Sequence, residues 1–329
     1  MRVTPSCDTL YSVTICNRPS VQADPVVAYT GENYVVVWSD AWFTGAYYWI
    51  IASCVDTAGT VMDTGYCIGA EAMCSELRPD IAFDGERCLV IWFNYDEPYG
   101  VYGRFVDELG MPEDTVFTIS TTLASYNVDP SVVFAGDRYL VAWADVRSGN
   151  SDLDIVAQFV STEGELIGAP VVIATGPSNQ IQPAAGYDGS VLLVTWCDDP
   201  VAIFGQELHP DGTLLGGNFR ISDDMPYSRS HPAVHASAQN FLVVWSETRG
   251  GESDIFGNID VAAPVEEDGP HPTVWQRATI FNDRLELPFD GAHRIYDVGG
   301  RDVTGLPMSS GIYFVEFGDR WLQKIIKVR

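Results

Sequence analysis

Lysine is nearly missing from this chain: only Lys324 and Lys327 occur, both within the last six residues. With 45 acidic against 18 basic residues the formal charge is −27. No basic face exists to neutralise phosphates, so nucleic acid and anionic membranes are excluded as partners. No run of about 18 apolar residues occurs, which excludes a membrane-spanning helix and membrane insertion. Met1–Ser20 lacks a basic stretch followed by an apolar one, so either an export signal has been trimmed or the chain stays inside. The seven cysteines (7, 16, 54, 67, 74, 88, 197) never take the C-x-x-C spacing that structural zinc prefers. G-x-S-x-G, the P-loop, H-E-x-x-H and the sialidase-type Asp box are absent as well, so no metal and no cofactor is expected.

What is present is a repeat. Five stretches begin with a proline and carry a tryptophan thirteen residues later: Pro25/Trp38, Pro79/Trp92, Pro130/Trp143, Pro183/Trp196 and Pro232/Trp245. Successive tryptophans lie 54, 51, 53 and 49 residues apart, the period of a four-stranded propeller blade and not of a helical solenoid. Within each copy a first strand follows the proline and a tight turn such as Phe83-Asp84-Gly85-Glu86 follows the strand. The second strand, as in Tyr139-Leu140-Val141-Ala142-Trp143, is apolar on both faces, the pattern of a strand held between neighbouring blades. A third strand follows, and Ile15, Ile68, Ile119, Ile173 and Ile221 keep step with the tryptophans to mark an outer fourth.

The fold class is therefore all-β, a five-bladed β-propeller over residues 1–261. The fifth copy has only three strands of its own, and Val13–Cys16 is expected to supply its fourth from the N-terminus, closing the ring without an exposed edge. Residues 262–276 read as a linker. Residues 277–329, with short alternating strands and glycine turns, read as a small C-terminal immunoglobulin-like β-sandwich.

The run Tyr139-Leu140-Val141-Ala142-Trp143-Ala144-Asp145-Val146-Arg147, echoed by Trp245-Ser246-Glu247-Thr248-Arg249, resembles the propeller repeat of large secreted bacterial proteins. The stretches Ile295–Val303, Gly311–Val315 and the basic-apolar finish resemble the C-terminal sorting domain of the type IX secretion system. That resemblance implies passage across an outer membrane and an extracellular or bacterial cell-surface location. The Asn-Pro-Phe-rich opening strand usual in such domains is missing, Leu287-Pro288-Phe289 being a remnant.

Candidate site residues follow from the repeat. The residue before each blade proline is Asp24, Arg78, Asp129, Gln182 or His231. These begin the innermost strands and should gather at one mouth of the central channel, as ligand-binding residues do. The five tryptophans are structural, anchoring blade to blade, because each ends the most apolar strand of its copy. Asp145/Arg147/Asp154 and Glu247/Arg249/Asp254 recur at matching loop positions, where a guanidinium braces two carboxylates. His231 and His235 share a face too widely spaced for joint metal ligation. In an oxidising compartment Cys54 and Cys67, in consecutive strands of one blade, form the best candidate disulfide.

The expected role is a non-catalytic extracellular or cell-surface structural or binding protein. Its propeller would be an interaction or self-assembly scaffold for protein, including further copies of itself, or for surface glycan, and the C-terminal module would serve export, anchoring or docking. The alternative is a secreted glycosidase-like enzyme using Asp24 and Asp129 as acid and base, although no glutamate stands at the matching position of another blade.

Overall fold

A computed structural model describes residues 2–3, 9–41, 47–63, 65–69, 75–96, 98–121, 128–146, 152–198, 200–237 and 240–261, with 278–281, 293–297, 301, 303–304, 311–317 and 321–327 towards the C-terminus. It is all-β, and its centre is five successive antiparallel sheets, the blades of a five-bladed propeller. After a short pair, β1 (Arg2–Val3) and β2 (Thr9–Tyr11), the first blade is β3 (Gln22–Tyr29), β4 (Asn33–Asp40), β5 (Trp49–Asp56) and β6 (Tyr66–Cys67). The second is β7 (Glu76–Phe83), β8 (Cys88–Asn94), β9 (Gly100–Val106) and β10 (Phe117–Thr121). The third is β11 (Ser131–Phe134), β12 (Arg138–Val146), β13 (Leu153–Ser161) and β14 (Leu166–Ala174). The fourth is β15 (Gln180–Tyr187), β16 (Leu192–Asp198), β17 (Ala202–Leu208) and β18 (Leu214–Arg220), and the fifth has three strands, β19 (Ser228–Ala236), β20 (Asn240–Arg249) and β21 (Glu252–Val261). Two compact units divide the chain, Met1–Ala185 and Gly186–Arg329.

The repeat explains the packing. Trp92, Trp143 and Trp196 are at most 2% exposed, Trp38 and Trp245 4% and 6%, which makes all five the packing anchors that their apolar strands imply. Between the first two blades, Val35, Val37, Ile50, Ala52 and Ile68 pack with Ile81, Cys88, Val90, Trp92 and Val106. The outer-strand isoleucines 68, 119, 173 and 221 are buried, and small residues on the third strands make room for two of them. A Cβ on Gly103 would stand 3.1 Å from Ile119, and one on Gly205 only 2.9 Å from Ile221. Three tryptophans also donate their indole N–H to the acid two residues on, Trp38 to Asp40 at 3.2 Å, Trp143 to Asp145 at 3.3 Å and Trp245 to Glu247 at 3.0 Å. That contact satisfies the one polar atom of a buried indole.

Two expectations are corrected. Residues 12–20 hold no strand, so Val13–Cys16 closes no blade. The buried Asp40 carboxylate draws this segment onto the first blade instead, accepting from Ser20 Oγ at 2.8 Å and pairing with Arg18 at 3.6 Å. A buried charge needs such partners more than an edge strand needs a fourth neighbour. The described C-terminal residues form a four-stranded sheet: β22 (Ala278–Phe281), β23 (His293–Asp297), β24 (Gly311–Phe317) and β25 (Trp321–Lys327), ordered β22-β25-β24-β23 with β22 parallel to β25. The linker over 262–276, and Arg147, lie outside the described residues. Secondly, no disulfide joins Cys54 to Cys67. Cys67 pairs with Ile51 across the sheet, and Cys54 is three positions further along β5. An odd offset puts the two thiols on opposite faces. Burial, with Asp63 and three further acids nearby, pushes the Cys54 thiol up to about 11.

Candidate functional site

The first strand of a blade does not start after its proline, as the sequence suggests, but in most copies before it. In the first blade Ala23 pairs with Ser39 while Val26 pairs with Val37, so three steps on β3 answer two on β4. Leu77 to Asp80 on β7 and Ser230 to Ala233 on β19 repeat the extra residue. This is a β-bulge, and proline suits it because it has no N–H to lose from the ladder. The residue before the proline takes the left-handed conformation in every blade: Asp24 at φ 51°, Arg78 at 55°, Asp129 at 38°, Gln182 at 56° and His231 at 53°. Such φ values are uncommon for side-chain-bearing residues, and a residue before proline ordinarily stays extended. Each costs about 1–3 kcal/mol and is retained because the bulge re-aims the side chain away from the ladder.

Three of the five candidates meet in the first unit. Arg78 lies between two carboxylates, its Nη1 2.8 Å from Asp129 Oδ1 and its Nε 3.9 Å from Asp24 Oδ2. The side chains are reachable from solvent: 47% exposed for Arg78, 38% for Asp24 and 13% for Asp129. Because β3 packs on β7 and β7 on β11, the three come from the leading edges of three consecutive blades. Gln182 stands at the matching place at the start of β15, and His231 at that of β19 in the second unit.

A fourth residue here escaped the sequence reading. Asp80 follows Pro79 on β7, and its Oδ2 accepts from Val132 N at 2.8 Å and Ser131 Oγ at 3.0 Å, its Oδ1 from Ile81 N at 2.9 Å. Burial pushes its pKa up from 3.8 to about 6, against the pull of those three hydrogen bonds. The available signal was its singularity, since the residue after the blade proline is Val26, Ser131, Ala184 or Ala233 in the other copies.

Two other polar clusters are braces. A cavity of about 800 Å³ lies among the hairpin turns at the far end of β7, lined by Asp84, Glu86, Arg87, Glu113, Asp137 and Glu163. Its guanidinium is already engaged, Arg87 pairing with Asp114 at 2.8 Å and stacking on Phe105 at 3.9 Å. In the second unit the fully buried Arg229 holds Glu247 at 2.7 Å, Asp223 and the carbonyls of Val201 and Met225, and Arg249 reaches the other Glu247 oxygen at 2.6 Å. Burial pushes the Glu247 carboxyl up, but donation from Trp245, Arg229 and Arg249 outweighs it and holds the carboxyl below its usual range. The bracing expected of Arg249 is thus present, with Arg229 as a second, unforeseen arm, while Asp254 is exposed. Among the described residues no group of three or more His, Cys, Asp or Glu could hold a metal ion, and no helix is long and apolar enough to cross a membrane.

Fold and cluster together define an all-β propeller with acidic side chains projecting from its leading strands. No family model and no curated protein matches the sequence. Among solved structures the chain is similar to an endo-arabinase from Bacteroides thetaiotaomicron, at 13% identity over 79% of this chain and 99% of that one, TM-score 0.45. It is similar to a thermostable family-43 glycoside hydrolase at 12% identity, 80% and 100% coverage and TM-score 0.45. A third is the catalytic domain of a GH62 α-L-arabinofuranosidase from Coprinopsis cinerea, at 12% identity, 72% and 89% coverage and TM-score 0.43. These neighbours carry the names of glycoside hydrolases, against the expectations of a non-catalytic structural or binding protein and of no enzyme, which are not carried further.

Proposed function

We propose that the chain is a carbohydrate-active enzyme that hydrolyses glycosidic bonds at the Asp24–Arg78–Asp129 cluster. One observation carries this reading: two carboxylates from different blades, each on a left-handed residue before a blade proline, meet the two sides of a single guanidinium. Glycoside hydrolysis needs two carboxyl groups flanking the scissile bond, one to protonate the leaving oxygen and one to activate water or attack the anomeric carbon. The Arg78 contacts cap the separation of the two facing oxygens at about 9 Å, which admits the spacing of either a retaining or an inverting pair. Arg78 itself supplies fixed donors to the substrate hydroxyls and stops two like charges from pushing each other out of position. Gln182 before the next blade proline adds an amide suited to a further hydroxyl.

The neighbouring assignments belong to the same proposal. The propeller occupies 1–261, a linker 262–276, and 277–329 is a separate module of the sorting-domain type. The site of action is extracellular or at the cell surface, where polymeric glycans are met. Mass spectrometry of secreted native protein tests this part, with a chain retained in the cytoplasm contradicting it.

The activity is tested by release of reducing ends from a panel of polysaccharides. Asp24→Asn and Asp129→Asn should each lower kcat by about 10²-fold or more, the scale of lost acid–base catalysis, with unchanged thermal midpoints within a few degrees. Equal turnover by the variants and the parent protein would overturn the assignment.

A further inference from the structure

We propose that Asp80 is a positioning residue for the Asp24–Arg78–Asp129 cluster: it ties the leading strand of the third blade to that of the second so that Asp129 meets Arg78. The inference rests on the hydrolase reading of that cluster.

The geometry is a two-rung ladder between β7 and the start of β11. One rung is the ion pair of Arg78 with Asp129 at 2.8 Å. The other, two residues along each strand, is Asp80 receiving Ser131 Oγ at 3.0 Å and Val132 N at 2.8 Å. Ser131 Oγ in turn accepts Ala185 N at 3.3 Å, extending the tie to β15, which begins beside Gln182. The second rung lies just beyond the left-handed residue Asp129, so a shift of β11 along β7 would carry Asp129 away from Arg78.

This tie is not part of the repeat. The position holds Val26, Ser131, Ala184 and Ala233 in the other blades, which pack without a carboxylate. A buried carboxylate is also a poor choice for stability alone, since an apolar residue of similar size would fill the site without a desolvation cost. A costly group placed once among five equivalent positions, directly behind the chemistry, is what positioning requires.

The arrangement also makes the tie sensitive to protons. Oδ2 receives two donors and Oδ1 a third, and a carboxylate accepts such bonds more strongly than a neutral carboxyl does. Arg78 stands two residues before it on β7, Asp24 is on the packed strand β3 and Asp129 stands two residues before Ser131, while β8 opposes it with Ile91; its shift comes from burial and its hydrogen bonds and not from these charges. Ionised Asp80 holds the ladder firmly; protonated Asp80 holds it more weakly, and its pKa of about 6 places the change within a usable range.

The test uses the full chain and two readouts. Asp80→Asn should lower kcat by about tenfold or more with KM changed less than threefold, remove the rise of kcat with pH near 6, and leave the thermal midpoint at pH 8 equal or higher. Independently of turnover, the Arg78 Nε–Hε signal in nitrogen-15 NMR should move with an apparent pKa near 6 in the parent protein and stay flat there in Asp80→Asn. A titrating Arg78 signal with no hydrolysis by either protein upholds the positioning and sinks only the hydrolase reading. An Arg78 signal that titrates identically in both proteins, or a kcat loss that merely tracks a lower thermal midpoint, overturns the proposal.

Discussion

Removing the charge from Asp80 should stabilise this protein at alkaline pH and not at acid pH. Its carboxyl titrates at about 6 in the folded chain against 3.8 when unfolded. A folded pKa above the unfolded one means that the protonated form is favoured by folding. The stability it contributes is therefore complete below about 3.8 and is lost as pH rises through about 6. The shift corresponds to a ceiling of about 3 kcal/mol against the ionised fold. The residue is not wholly enclosed, and water at its edge reduces this to about 1–2 kcal/mol. Asp80→Asn removes that penalty and gives up one accepted hydrogen bond, worth about 1 kcal/mol. At pH 8 the variant should equal or exceed the parent; at pH 4.5, where the parent is protonated, it should be less stable by about 1 kcal/mol. The swing corresponds to several degrees in thermal midpoint, read by circular dichroism across pH 4.5–8. All other carboxylates titrate alike in both proteins and cancel. A difference in midpoint that does not change with pH would refute the reasoning.

Other perturbations are read in the same way. Arg229→Ala leaves the buried Glu247 with Arg249 and Trp245 as donors but empties a fully buried site and frees Asp223, and should cost about 3 kcal/mol in denaturant unfolding; a loss below 1 kcal/mol contradicts the brace. Glu247, whose pKa is lowered, contributes stability that is present above the unfolded value of 4.5 and lost as pH falls below it. Glu247→Gln should therefore flatten the acid limb of the unfolding profile. Gly205→Val puts a branched side chain where a Cβ already comes within 2.9 Å of Ile221, 3.1 Å of Phe219 and 3.2 Å of Leu193, and should lower stability by about 1–3 kcal/mol. Asp24→Gly relieves a left-handed φ of 51° and should hold or raise the thermal midpoint while abolishing turnover; a lower midpoint would show that the bulge is unstrained.

The blades were legible because a period of about 50 residues, a proline and a tryptophan each report one physical demand: an unpaired bulge position, a wall of packing, a turn. The same signal located Asp24, Arg78 and Asp129, since the residue before a bulge proline must point out of the ladder wherever the bulge recurs. Sequence could not tell where Val13–Cys16 would go, because a weakly alternating strand competes with the needs of one buried carboxylate, Asp40, whose burial is visible only in three dimensions. Cys54 and Cys67 misled because adjacency in a blade ignores the face on which each side chain falls. Asp80 was overlooked for a different reason: its importance lies in which strand it touches, and a single aspartate after a proline carries no periodic signal. The bracing role of Arg229 was hidden likewise, its partners Asp223, Val201 and Met225 lying in separate loops.

The central claim is that carboxylates on the leading strands cleave a glycosidic bond with water. The most direct measurement is cleavage of an oligosaccharide in oxygen-18 water followed by mass spectrometry of the products. The account predicts one heavy oxygen at each new reducing end with the parent protein and none with Asp24→Asn/Asp129→Asn. Cleavage and labelling by the double variant at the parent rate, or no cleavage of any glycan by the parent, would contradict it.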